Sequence, residues 1–330
     1  MLSLLLVFFL CFNPIYRSLK IKSIIFERNN NMGYPIEEKL VVSVSSSALF
    51  DLSESDKVFL DEGTEKYKEY QEKNIDNTLK AGVAFPFVKR LLSLNDHFED
   101  KPIEVILLSR NSPETGLRVF RSIQTYGLDI SRAGFFSGES PFKYIPAFNT
   151  SLFLSANKGD VDKAIEKGFP AGLVLNTKIE DDEDKALRIA FDFDGVLIDD
   201  EAEKVYKETK DINQFHAHEA SKVTNPHNEG LLKNLIDKLV KIQAIENKRM
   251  EVDKDYKKII NLSIITARNA PSHERVVTTI KDWGLTIDTT FFMGGIDKGR
   301  ILKIMKPHMY FDDQLTHLDT SLDDIPLVHI

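Results

Sequence analysis

The segment FDFDGVL, residues 191–197, ends an apolar run in two carboxylates two positions apart, Asp192 and Asp194, followed at once by Gly195. Residues two apart on a strand share a face, so the spacing predicts that both carboxylates converge at the strand's C-terminal end. Open parallel sheets bind their ligands at that edge. Converging anions repel unless a cation or a proton lies between them. Three more segments supply what such a pair needs for chemistry on a phosphate. IITARN, 264–269, ends an apolar run in the hydroxyl of Thr266, with Arg268 and Asn269 following. A hydroxyl and loop amides at that place suit a phosphoryl oxygen. GGIDKGRIL, 294–302, sets Lys298 at the start of an amphipathic helix after Gly294 and Gly295. From there one lysine can neutralise both a nucleophile and a phosphoryl group. MYFDDQ, 309–314, ends a strand in Asp312 and Asp313. Oxygen-only ligands carrying several charges suit Mg²⁺, which keeps octahedral geometry and takes few carboxylates. Each piece alone also has a plain structural reading: a strand-to-turn junction, a packed threonine, a solvated lysine, a surface turn.

The elements that must position these residues alternate in type. LVVSV (40–44), EVILLS (104–109), TSLFLS (150–155) and AGLVL (171–175) read as strands in the first half of the chain. LRIAFDF (187–193), NLSIIT (261–266), TIDTTFF (286–292) and MYFDD (309–313) read as strands in the second. Helix-like stretches lie between them. In HERVVTTIKDWG (273–284), Val276, Val277, Ile280 and Trp283 recur at helical spacing before the capping Gly284. Strand–helix alternation with continuous apolar strands predicts an α/β fold built on a parallel sheet covered on both faces.

The halves also resemble each other. LLSRNSPETGLRVFRSIQTYGLDI (107–130) matches IITARNAPSHERVVTTIKDWGLTI (264–287), and FFSGESPFK (135–143) matches FFMGGIDK (291–298). Arg268 follows Arg110 by 158 residues, Gly284 follows Gly127 by 157 and Phe291 follows Phe135 by 156. An ordered series at an offset that stays near 156 residues predicts a tandem duplication. The second half carries Asp192, Asp194, Thr266, Asp312 and Asp313, whereas the first has serines near the matching places and keeps only Lys143. Without carboxylates it holds no divalent cation and forms no acyl-phosphate. Residues 32–180 are therefore expected to be a degenerate, non-catalytic half and residues 181–330 the catalytic half. The acidic stretch KIEDDEDK, 178–185, is expected to be a solvated linker.

The chain has 330 residues, 42% hydrophobic and 28% charged. At ~150 residues per domain that length allows about two domains, and the composition excludes wholesale disorder and collagen. The net charge of −8 leaves no basic footprint for duplex nucleic acid. A single cysteine, Cys11, allows no intramolecular disulfide, which fits a reducing compartment. Residues 1–31 open on MLSLLLVFFLCF, shorter than the ~20 residues a bilayer span takes. Three readings stay open for them: an upstream extension with Met32 as the working start, a membrane-tethering or sorting segment, or a cleaved signal. The sequons at Asn149 and Asn261 lie on or beside runs read as buried strands, so nothing in them supports export.

Asp-x-Asp, then Thr, then Lys, then Asp-Asp, each at a strand end, is the ordered motif set of the haloacid dehalogenase-like (HAD) phosphohydrolases. A response-regulator receiver places its acidic pair before its phosphorylated aspartate. A P-type pump carries Asp-Lys-Thr-Gly-Thr, which is absent. FDFDGVL, FHAHE (215–219), TARNAPSHERV (266–276), WGLTIDTTFFMGGIDKG (283–299) and FDDQ (311–314) resemble the cytosolic 5′-nucleotidase type I family more closely. So do SSSALFDL (45–52) and YKEYQ (67–71), and the resemblance covers about residues 36–320.

The resemblance implies a HAD-like Rossmannoid sheet with a helical cap, about 199–258, and hydrolysis of nucleoside 5′-monophosphates, AMP prominent among them, with Mg²⁺. It implies that Asp192 is the nucleophile, Asp194 the acid and base, and that Thr266 and Lys298 hold the phosphoryl group. Asp192, Asp194, Asp312 and Asp313 are the expected metal residues. Arg268, Asn269, Phe215 and His218 are expected at the substrate. A cytoplasmic location follows from the family, with the apolar start as its one departure, and membrane association is not expected. A nucleotide effector and a homo-oligomer are compatible with the sequence. Two other functions remain open: a HAD phosphatase or phosphotransferase for another small phosphomonoester, and a silent nucleotide-binding regulator.

Overall fold

The computed structural model describes residues 34–175, 179, 181–182, 184–319, 322 and 324–330. The chain divides into two units, residues 1–38 and 39–330. The apolar extension expected over 1–31 lies outside the described residues, as does part of the 178–185 linker. Of the first unit only residues 34–38 are described, and they include the 3-10 turn Ile36–Glu38. No helix among the described residues is long and apolar enough to cross a membrane.

The strands of the second unit are β1 (Leu40–Val44), β2 (Phe50–Asp51), β3 (Lys80–Ala81), β4 (Ile103–Ser109), β5 (Arg132–Phe135) and β6 (Leu152–Ser155). They continue as β7 (Ala171–Val174), β8 (Leu187–Phe191), β9 (Ile260–Thr266), β10 (Thr289–Phe292), β11 (Met309–Asp312) and β12 (Leu327–His329). Among the described residues, ten form one sheet in the order β10-β9-β8-β11-β12-β7-β6-β1-β4-β5, while β2 and β3 pair separately. The α/β class read from the strand–helix alternation is the one observed. β1 and β4 are buried at every position, as continuous apolar strands must be when helices cover both faces.

The expectation of a wholly parallel sheet is corrected at one place. β7 and β12 pair antiparallel, Val328 opposite Val174, while the other pairs in the large sheet are parallel. On each side of this junction the strands, counted in chain order, lie 3-2-1-4-5. Two such arrays joined by their fifth strands cover each other's open edge. β5 and β12 were not legible as strands. Arg132-Ala-Gly-Phe has no apolar run, and β12 has only three residues.

The segment expected as a cap, 199–258, holds elements of two kinds. The helices Glu201–Thr209 and Ile212–Ser221 pack on each other, and no residue of either belongs to the main apolar cluster. The helix Lys233–Val252 instead places Leu235, Ile236, Leu239 and Ile242 in that cluster. Its Glu246 is buried, and the carboxylate accepts from the backbone N–H of Ile259 at 2.8 Å and of Ile260 at 3.2 Å. That helix is part of the core and fixes the entry of β9.

Candidate active site

In the registers that join β8 to its neighbours, Phe191 lies opposite Ile264 of β9 and Phe311 of β11. One residue later Asp192 follows β8 and Asp312 ends the adjacent β11, and Thr266 ends β9 two residues beyond Ile264. All three therefore reach the C-terminal edge at the point where strand order reverses, the usual ligand position in such sheets. β8 stops at Phe191. Asp194 is thus carried by a turn rather than by the strand alternation expected from its spacing.

Three charged side chains meet here, out of water. Lys298, at the start of the helix Gly299–Met305, has its Nζ 2.8 Å from Asp192 Oδ2 and 2.8 Å from Asp312 Oδ2. Asp192, Lys298 and Asp312 are 3%, 4% and 0% exposed, so the single cation between two anions is what makes their burial tolerable. Asp192 Oδ1 accepts from the Phe193 N–H at 2.7 Å. Asp312 is held on every side. The Tyr310 hydroxyl donates to its Oδ2 at 2.5 Å, the Gln314 N–H donates to Oδ1 at 2.9 Å, and His317 Nδ1 lies 3.2 Å from Oδ1.

The electrostatics separate the carboxylates. Burial pushes Asp192 up to about 7; Lys298 opposes the rise, while Asp312 and Asp194 add to it. Burial works against the Asp312 carboxylate too, but the contact with His317 and the charge of Lys298 hold it down at about 2. Asp313 is pushed up to about 6 by burial and by the charges of Asp312 and Glu203.

This donor set fits a divalent cation. One ligand atom each from Asp192, Asp312 and His317 lies within 4.8 Å of the others. Asp313 Oδ1 is buried with no hydrogen-bond partner. Sequence reasoning missed His317 and Tyr310. Tyr310 precedes Asp312 inside the strand read as core. His317 returns to the site only because the 3-10 turn Leu315–His317 folds back.

Gly195 is required twice over. Its φ is +71°, and a Cβ there would come within 2.6 Å of the Asp313 carboxyl group. Gly195→Ala is expected to cost about 1–3 kcal/mol from the left-handed backbone and overpacking. It should also weaken divalent-cation binding roughly 10-fold by displacing Asp313. Thermal melts and a Mg²⁺ titration followed by calorimetry check both.

The expected substrate residues fall in different places. Thr266 is fully buried, and its Oγ1 accepts from the Arg268 N–H at 3.2 Å. Arg268 faces Asp194 in this structure rather than an open substrate space. Its Nε and Nη2 donate to the two Asp194 oxygens at 2.8 and 2.7 Å, and its Nη1 donates to Glu219. Phe215 is buried, with the Arg268 guanidinium 5.3 Å from its ring centre. His218 Nε2 lies 2.9 Å from Glu201 Oε1. Asn269 is exposed beside the Gly294 turn.

At the matching strand ends of the first half stand hydroxyls. Ser45 follows β1 as Asp192 follows β8, Ser109 ends β4 as Thr266 ends β9, and Ser155 ends β6 as Asp312 ends β11. Ser46 Oγ lies 2.7 Å from Ser109 Oγ and donates to Asn111 Oδ1 at 2.7 Å. Lys143 is exposed, 3.6 Å from Glu139, whereas Lys298 is buried.

The 5′-nucleotidase family model matches residues 32–330. Cytosolic 5′-nucleotidase 1B of Homo sapiens is 32% identical over 309 residues, 89% of this chain and 50% of that protein. The chain thus spans about half the length of this curated relative. No solved structure is significantly similar. With its matched residues running from just before the first strand to the last residue of the chain, the chain belongs to the 5′-nucleotidase family.

Proposed function

We propose that this chain is a Mg²⁺-dependent 5′-nucleotidase that hydrolyses nucleoside 5′-monophosphates, AMP among them, to nucleoside and phosphate. The observation that carries the reading is the buried Asp192–Lys298–Asp312 cluster at the switch point of a 5′-nucleotidase family sheet. Asp192 attacks phosphorus, so that a bond forms from its carboxylate oxygen and the bond to the nucleoside O5′ breaks. Asp194, entering the reaction protonated on one oxygen, gives that proton to O5′ and is left as the carboxylate that the Arg268 fork holds, then takes a proton from the water that hydrolyses the aspartyl-phosphate. Thr266, whose oxygen already accepts from Arg268, has its hydrogen free for a phosphoryl oxygen, and Lys298 holds another. Each such contact contributes ~2–4 kcal/mol to the transition state. Asp192, the Asp194 carbonyl, Asp312 and Asp313 are the groups to hold Mg²⁺, with His317 within reach. When bound, the cation offsets charge on the phosphoryl oxygens.

Of the residues expected at substrate, Asn269 keeps that role because it is exposed beside the glycine turn. Arg268 and Phe215 are assigned to holding Asp194, and His218 to the ion cluster with Glu201. The helices Glu201–Thr209 and Ile212–Ser221 form the cap, a reading supported by their absence from the main core. Duplication of an ancestral half, with residues 32–180 non-catalytic, is supported by the equal strand order and the serines in place of carboxylates. A cytoplasmic location rests on the name of the human relative.

Phosphate release across purine and pyrimidine monophosphates and a panel of sugar phosphates tests the reading. Release from the nucleotides is expected at least roughly 10-fold faster than from sugar phosphates, and EDTA should abolish it. Faster release from a sugar phosphate would assign the site to another phosphomonoester. No release from any substrate would leave a nucleotide-binding protein with a silent site.

A further inference from the structure

We infer that Glu219, on the helix Ile212–Ser221, is a positioning residue that fixes Asp194 for proton transfer by acting through Arg268. The inference deepens the function proposed above and rests on it. The geometry has three parts. The Arg268 fork gives Asp194 two parallel bonds, 2.8 Å from Nε to Oδ2 and 2.7 Å from Nη2 to Oδ1. Two bonds along one edge of a planar group leave it free to tilt and slide. Two rings oppose the tilt, since the guanidinium carbon lies 5.3 Å from the ring centres of Phe193 and Phe215. Glu219 stops the slide by taking Nη1, assisted by a longer contact of 3.4 Å to the Ser272 carbonyl.

Glu219 is itself fixed. Its side chain is 0% exposed. Arg275 Nη1 donates to its Oε1 at 2.9 Å, and His227 Nε2 lies 3.1 Å from its Oε2. Arg275 continues to Glu201 at 3.3 Å. Charges therefore alternate from Asp194 through Arg268, Glu219 and Arg275 to Glu201, out of the reacting edge and into the two-helix segment. A residue serving only to anchor that segment needs no contact with the arginine that holds Asp194. The shared arginine makes the position of Glu219 a determinant of where the Asp194 carboxyl group points. Misplacing a reacting group by an ångström lowers rates by about 10²-fold.

The readout is the demand for leaving-group protonation. The alkoxide of a nucleoside O5′ must be protonated as it departs, whereas p-nitrophenolate leaves unaided. In a two-step mechanism kcat/KM reports the steps up to departure, so water attack on the phosphoenzyme does not enter it. Glu219→Gln keeps shape and removes the charge. Its kcat/KM for AMP is expected to fall ~10–100-fold, with that for p-nitrophenyl phosphate within about 3-fold of the parent on the same logic. Equal loss on both substrates, or loss on neither, overturns the inference.

If Glu219→Gln shows no cooperative melt, Arg268→Lys replaces it. A lysine keeps the cation but cannot span both carboxylates, so the same split is expected, and equal losses overturn the inference. On AMP alone, the double variant Glu219→Gln/Arg268→Lys should lose no more than Arg268→Lys does; additive losses overturn it. A parent protein inactive on both substrates removes the functional reading and this inference with it. A parent active on AMP with unsplit or additive variants removes only the inference.

Discussion

Asp192→Asn is expected to lower nucleoside monophosphate turnover roughly 10⁴–10⁶-fold, as loss of a covalent nucleophile does, without loss of the fold. The burial that raises Asp192 also explains the second half of this expectation. A group whose folded pKa stands above its unfolded value contributes stability that is complete below the unfolded value and is lost as pH rises through the folded one. For Asp192 those values are 3.8 and about 7, so in metal-free protein its charged form is a burden from weakly acidic to neutral pH. Asparagine has nearly the same shape and never carries that charge, and Lys298 keeps Asp312 at 2.8 Å as its partner. The melting temperature of the variant in EDTA should equal or exceed that of the parent at pH 8, and the difference should shrink toward pH 4. Phosphate release and calorimetry at the two pH values check it. A variant that turns over AMP at the parent rate would remove Asp192 from the role of nucleophile.

Lys298→Met is expected to be the reverse case, damaging fold and chemistry together. Methionine fills the space of the lysine stem, but Asp192 and Asp312 then face each other with no cation between them. Breaking a buried ion cluster by removing one partner costs about 3–5 kcal/mol. Lys298 lowers the pKa of both aspartates, so without it Asp192 rises further and Asp312 rises from its depressed value. Raised carboxylates lose their stabilising share as pH increases. The destabilisation should therefore be small near pH 4 and full at pH 8, measured by urea unfolding in EDTA. Adding Mg²⁺ should raise the melting temperature of the variant more than that of the parent, because the metal is then the available counter-charge. Turnover should fall at least ~10²-fold even with Mg²⁺ saturating, since the phosphoryl contact is gone. A variant as stable as the parent at pH 8 would show that the two carboxylates do not need the lysine.

Much of this was present in the chain as written. Strand and helix alternation, the α/β class, the placing of Asp192, Thr266 and Asp312 at strand ends and of Lys298 at a helix start follow from local patterns: apolar runs, glycine turns and short carboxylate spacings. Those patterns are set by neighbours within a few residues and survive without knowledge of the fold. The antiparallel join of β7 to β12 was not legible, because edge pairing between distant segments has no local signature. The division of 199–258 was missed for the same reason. Lys233–Val252 reads as an amphipathic helix whether its apolar face meets a cap or a sheet.

The site shows the same boundary between local and distant information. Sequence alone nominated Asp192, Asp194, Thr266, Lys298 and Asp312 for the proposed chemistry, because a carboxylate pair, a hydroxyl and a lysine in that order have few other uses in combination. Only the tertiary structure decided how they are held: His317 and Tyr310 on Asp312, and Glu219 with Phe193 and Phe215 around Arg268. It also showed Arg268, expected at the substrate, donating to both oxygens of Asp194. The reason is physical. The identity of a reactive group is a property of one side chain, whereas its direction and charge state depend on partners that the fold supplies, some of them from far along the chain, as Glu219 is 49 positions from Arg268, and on the water that folding removes.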